Sequence, residues 1–152
     1  MRDIISAILG SDVPVVTYVS PAGARADSAG TYILLASHIA AMAPTTHLGA
    51  ATPVSLGGGD VGDDGKSGSD KDADSDSDSA SDEDKKAPAS GSAMERKVMN
   101  DAISYIRGLA EAHGRNADWA EKAVTEAATL TASEALEMNV KIGRAHVLNS
   151  SH

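Results

Sequence analysis

One serine stands where a hydroxyl could be turned into a nucleophile: Ser28, within G-A-R-A-D-S-A-G-T-Y-I at residues 23–33. Upstream of it, Val13, Val15, Val16, Thr17, Tyr18 and Val19 form a β-branched and aromatic run interrupted only by Pro14, which predicts a buried strand. Ser20, Pro21 and Gly23 break that run, and Tyr32, Ile33, Leu34, Leu35 and Ala36 have the composition of a buried helix. Ser28 is therefore expected near a helix start, where free N–H groups and the positive end of the helix dipole can hold an oxyanion. Small neighbours, Ala26, Ala29 and Gly30, leave room for a substrate backbone. Serine is also a preferred helix N-cap, so position alone does not make it catalytic.

A serine hydroxyl needs a base to take its proton. Cysteine is absent, which excludes thiol catalysis, thiolate metal sites and disulfides. The histidines are His38, His47, His113, His146 and His152, and no two share the H-x-x-x-H spacing of a helical zinc site. His38 lies in an apolar run and reads as a core or strand-edge residue. Lys97 is the better base, because it immediately precedes an amphipathic stretch, residues 98–112, ended by Gly114. A lysine at a helix N-terminus is disfavoured by the dipole, and partial burial would make it more easily neutral. Most lysines, however, are solvated surface charges.

Residues 13–54 together with M-E-R-K-V-M-N-D-A-I-S-Y-I-R-G-L-A-E-A-H-G-R-N-A-D-W-A-E-K-A-V, residues 94–124, resemble the NfeD family of membrane-bound serine proteases of the ClpP class. That resemblance implies an α/β chain with an incomplete ClpP/crotonase-like fold of repeated β-β-α units. It implies a serine endopeptidase with a Ser/Lys dyad: Ser28 of S-A-G-T-Y as nucleophile, Lys97 opening K-x-x-N-D as base, and the Ala29 N–H in the oxyanion hole. Further implications are apolar peptide segments as substrates, a stomatin-like membrane partner, homo-oligomers, membrane association of the parent protein, and no cofactor. Family members take a second oxyanion donor from an upstream T-P-G-G segment, which has no counterpart here, so the isolated chain is expected to be inactive. Asp27 replaces the usual alanine before the nucleophile, where a carboxylate could oppose neutralisation of Lys97. Thr45 replaces a glycine, and if that glycine adopts a positive φ, threonine would strain the turn. A catalytically degenerate scaffold and a crotonase-like acyl-CoA binder are the rival readings.

The chain divides into residues 1–56, the first part of the protease-like domain with the nucleophile turn; 57–92, an acidic insert; 93–140, a helical second part; and 141–152, a tail. Between residues 60 and 86 there are eleven acidic and four basic residues, a net of −7 out of −9 for the whole chain. Such a segment cannot bury enough apolar surface to offset ordering, and is expected to be disordered. Asp72, Asp74, Asp76 and Glu83 fall at calcium-loop spacing, but Ser77 stands where that loop needs glycine, and no metal site is expected. Residues 142–152 back-translate to a sequencing-library adapter, so the chain from about Lys141 is expected to be non-native. The opening Ile4, Ile5, Ile8, Leu9 and Gly10 read as the end of a helix, with Met1 an internal residue.

These exclusions leave about 105 residues for a core, enough for one small domain. With one tryptophan, three tyrosines and no phenylalanine, alanine must fill much of it. Residues 94–112 predict one helix, Asn116 or Asp118 caps a second, and Thr131 with Glu134 forms a capping box for a third. Trp119 is expected in the core or at a subunit contact. No run is long enough to span a membrane and none reads as a signal peptide. Negative charge without a basic stripe argues against nucleic-acid binding.

Overall fold

The structure, a computed structural model, describes residues 1–54 and 90–141. The acidic residues 55–89, the calcium-like spacing within them and residues 142–152 lie outside the described residues. Helix α1, Arg2–Leu9, buries Ile5 and Ile8 on one face, three residues apart. Strands β1, Val16–Val19, and β2, Arg25–Asp27, then lead into α2, Ala29–Ala36; β3, Ile39–Met42, and β4, His47–Gly49, precede α3, Ser90–Ala112. The order strand-strand-helix thus occurs twice. Helix α4, Ala117–Thr125, strand β5, Thr129–Thr131, and α5, Ala132–Glu137, complete the described chain.

Two small sheets result. In one, β1 runs parallel to β3 with Val16 opposite Ile39 and Val19 opposite Met42. In the other, β4 is central, parallel to β2 and antiparallel to β5. Parallel strands need a crossover, and α2 supplies it for both pairs. That double duty explains why α2 is apolar almost all round: Tyr32, Leu34, Leu35 and Ala36 are buried among both sheets and α3.

One core joins both sides of the acidic stretch, with Leu34, Leu35, Met42 and Leu48 packed in the same cluster as Ile106, Trp119, Val124 and Val140. Alanine fills much of it, as the composition requires; Ala36, Ala40, Ala110, Ala120, Ala123 and Ala135 are fully enclosed. Each buried leucine or valine contributes roughly 1.5–3 kcal/mol, while the alanines let α3 and α4 approach closely. Trp119 is a core residue, 3% exposed. Of the two candidate caps for α4, Asn116 is used: its side chain accepts from the Trp119 N–H at 2.9 Å. The Thr131–Glu134 capping box closes as expected at the start of α5.

Candidate functional site

Ser28 sits between the C-terminal end of β2 and the first residue of α2, the end of a parallel strand where α/β proteins place their ligands. Its backbone is strained, with φ 50° and ψ −115° in a residue that carries a Cβ. Although it occupies the N-cap position, its hydroxyl caps nothing. Serine used as a cap has an extended backbone and bonds the helix N–H groups. Here the side chain is exposed and left free, which separates Ser28 from an ordinary cap. Ala29 and Gly30 open α2, so their N–H groups have no acceptor within the helix.

Four hydrogen bonds impose this turn. The Ser28 N–H donates to Gly49 O at 3.0 Å. Thr31, fully buried, accepts from the Gly49 N–H at 2.9 Å and shares its one proton between Ala26 O at 2.7 Å and Gly49 O at 2.9 Å. Gly49 itself has φ 132°, and a Cβ there would stand 2.1 Å from Ala128 O, so no other residue fits. The strand-helix turn is thereby tied to the end of β4.

Ser28 opens onto a cleft of about 460 Å³ walled by residues 50–54, by Met1 and Arg2, by Tyr32, and by Val98, Asp101, Ala102 and Tyr105 of α3. The wall after β4 is pinned from behind: Ala50 N–H to Ala128 O at 3.1 Å, Ala51 N–H to Ala123 O at 2.8 Å, and Thr52 Oγ1 to Val124 O at 2.7 Å. Tyr32 and Tyr105 stack with centroids 6.0 Å apart, and the Arg2 guanidinium covers Tyr105 at 4.4 Å while pairing with Asp101. Burial pushes the Tyr32 phenol above its ordinary value, Arg2 opposing and Asp101 and Tyr105 reinforcing the shift. The rest of the lining is mainly apolar and small, with Ala50, Ala51, Pro53 and Ala102 among it.

Lys97 does not line this cleft. It is exposed on α3, one turn before Asp101, which does line it. The structure brings the helix of Lys97 to the cleft of Ser28 and leaves the lysine itself exposed and outside the lining. Lys97 does not stand at a helix start: α3 begins at Ser90, so Lys97 lies two turns inside the helix, beyond the reach of its N-terminal dipole. The helix continues upstream because residues 90–96 contain no proline and end in Ala93, Met94, Glu95 and Arg96, four good helix formers.

The two departures at the turn are placed as well. Asp27 lies 3.7 Å from Arg25 Nε and 3.9 Å from His47 Nε2, so its carboxylate faces the guanidinium and the imidazole of its own strand pair. Thr45 has φ 63°, the conformation in which a β-branched residue is strained, its hydroxyl donating to Pro44 O at 2.6 Å. His38 is structural, as expected: Nδ1 accepts from the Val15 N–H at 3.0 Å, and the ring meets His113 edge-on at 5.4 Å.

At the far end of α2 lies a group that sequence reasoning missed. Arg115, 5% exposed, donates to Leu34 O at 3.3 Å, Leu35 O at 2.6 Å and His38 O at 3.4 Å. Burial holds its guanidinium below its ordinary value. His113 Nε2 lies 2.9 Å from Ala36 O, the last carbonyl of the helix. Thr31, Gly49 and Arg115 carried no signal beyond their types, since each acts on residues distant in the chain. Only Gly114, just before Arg115, marked the stop of α3.

Fold and turn together define an α/β domain that presents a strained serine at the start of a buried helix, beside an apolar cleft. No family model matches the chain. It is 38% identical over 142 residues to the Membrane-bound protease PH1510 of Pyrococcus horikoshii, a match covering 92% of this chain and 25% of that protein. Among solved structures, a lysine-to-alanine mutant of the 1510-N membrane-bound stomatin-specific protease in complex with a substrate peptide superimposes with a TM-score of 0.69 at 35% identity, covering 97% of this chain and 55% of that one. A serine-to-alanine mutant of the same protease gives 0.69 at 36% identity, covering 97% and 58%. The chain is a homologue of NfeD-like membrane-bound proteases, and spans a quarter of the length of the curated relative. Among the described residues, no helix is long and apolar enough to cross a membrane.

Proposed function

We propose that this chain is part of the protease domain of a membrane-associated serine endopeptidase of the ClpP/crotonase fold, working by a Ser28/Lys97 dyad on apolar peptide segments. The observation that carries the reading is Ser28 itself, with a positive φ, an uncommitted hydroxyl and the free N–H groups of α2 beside it. Two strand-strand-helix units in succession support the fold. Residues 1–56 and 93–140 are two parts of one domain, supported by their shared core, with 57–92 between them in the chain; Lys141, expected in the tail, is instead 3% exposed with its N–H bonded to Ala135 O at 3.2 Å.

In this reading Ser28 Oγ attacks the scissile carbonyl carbon and its proton passes to Lys97 Nζ. The Ala29 N–H donates to the oxygen that gains charge. Collapse of the tetrahedral species breaks the C–N bond, and Lys97 returns the proton to the leaving amine. Water then releases the acyl group from Ser28, with Lys97 again as base. This step requires the exposed Lys97 side chain to turn into the cleft that Val98 and Asp101 of the same helix already line. The solved relatives, one mutated at a serine and one at a lysine, support this choice of pair, and the substrate peptide and stomatin specificity in their names support a stomatin-like partner. Assembly into homo-oligomers belongs to the same reading.

The position of Lys97 outside the cleft favours a second reading, a scaffold whose chemistry has been lost. The deciding experiment is hydrolysis of an apolar peptide by the full-length parent chain, as wild type, Ser28→Ala and Lys97→Ala. Dyad catalysis predicts a loss of about 10³-fold or more in each variant with folding intact. An inactive wild type establishes the scaffold, while activity that survives either change refutes the Ser28/Lys97 dyad.

A further inference from the structure

The helix that carries Lys97 ends by delivering a cation to the helix that begins at Ser28. Gly114, at φ 63°, lets the chain leave α3 through a Schellman turn: the Arg115 N–H bonds Ala110 O at 2.8 Å and the Gly114 N–H bonds Glu111 O at 3.0 Å. This turn fixes the backbone of Arg115 to α3 and sends its side chain into the core. There, among the described residues, the guanidinium donates to carbonyls alone, Leu34 O and Leu35 O of α2 and His38 O just beyond. Nε has no partner, and among the described residues Arg115 forms no ion pair.

A buried charge with no anion is costly, and a helix end can be closed without one. What arginine adds is reach and a rigid fork that grips several carbonyls at once, with a positive charge at the negative pole of α2. Helix α2 has eight residues, so a grip on its last turn sets the place of its first.

From these contacts we propose that Arg115 is a positioning residue for Ser28, locking α2 to α3 so that the serine and the α3 face opposite it keep one geometry. The proposal rests on the serine-protease reading for its kinetic consequence, and on the hydrogen bonds alone for its structural one. Misplacement of a reacting group by about 1 Å can cost on the order of a hundredfold in rate.

The test compares Arg115→Met, which removes charge and donors, with Arg115→Lys, which keeps a cation able to reach one or two carbonyls. In the full-length parent, labelling of Ser28 by a fluorophosphonate and kcat for an apolar peptide should fall about tenfold or more in Arg115→Met, with KM within about twofold. Arg115→Lys should recover most of that loss even where its melting temperature stays low. Methionine and lysine variants equally slow, or a methionine variant as fast as wild type, would overturn the proposal. Hydrogen exchange gives a readout free of chemistry: residues 29–36 should exchange faster in Arg115→Met than in Arg115→Lys, while α4 is unchanged. Uniform acceleration, or none, also overturns it. Should Arg115→Met fail to fold, Arg115→Lys against wild type carries the same comparison, the expected result being exchange confined to α2. A wild type that never labels at Ser28 defeats the protease reading and leaves the exchange result to decide the locking role.

Discussion

Replacing Ser28 by glycine should stabilise the protein while removing its nucleophile. At φ 50° and ψ −115° the serine occupies a region that side-chain-bearing residues avoid, and such a residue costs about 1–3 kcal/mol. Glycine adopts it freely but loses about 0.5–1 kcal/mol through the extra freedom of the unfolded chain. The net gain is therefore about 1 kcal/mol, and in a domain of this size about 4–8 °C in Tm. Ser28→Ala is the reference, because it removes the same hydroxyl and keeps the Cβ and its strain. Loss of a working N-cap would cost about 0.5–2 kcal/mol, but this hydroxyl caps nothing, so Ser28→Ala should match wild type. Thermal unfolding followed by far-ultraviolet circular dichroism measures all three. A glycine variant that melts no higher than the alanine variant would refute the strain argument. An alanine variant that loses a degree-scale increment typical of a cap would show that the hydroxyl is structural after all.

Two further outcomes are expected. Thr45→Gly, at φ 63°, should gain about 1 kcal/mol by relieving a β-branched residue in the left-handed region, read as a higher urea midpoint at unchanged m value. The Glu134 carboxylate accepts from the Thr131 N–H and hydroxyl, which hold its pKa below the ordinary glutamate value. The folded state therefore favours the ionised form; this contribution is complete above the unfolded pKa and disappears as pH falls through the folded one. Glu134→Gln should be less stable than wild type at neutral pH, with the difference shrinking in acid, measured by denaturant titration across that range.

What the sequence revealed and what it hid follow from the range of the interactions. Asn116, the Thr131–Glu134 box and Gly114 act within a few residues, and each is found where its local pattern predicts. The placement of Ser28 beside the start of α2 was legible from the broken apolar run and the small residues after it. Strand β2 was not: Arg25, Ala26 and Asp27 have no strand composition, and they are extended because β4 supplies their partners. The same holds for Thr31, whose partner Gly49 is distant in sequence, and for Arg115, whose acceptors lie on another helix. The conditional reading of Thr45 carried through, since its turn does require a positive φ. Lys97 was misplaced at a helix start because amphipathic periodicity marks where a helix meets the core, while α3 runs on into solvent before it.

The pins behind residues 50–52 make α4 a buttress for the cleft. Since Ala50, Ala51 and Thr52 are fastened to α4 and to the turn after it, a shift of that helix would be carried straight into the wall beside Ser28.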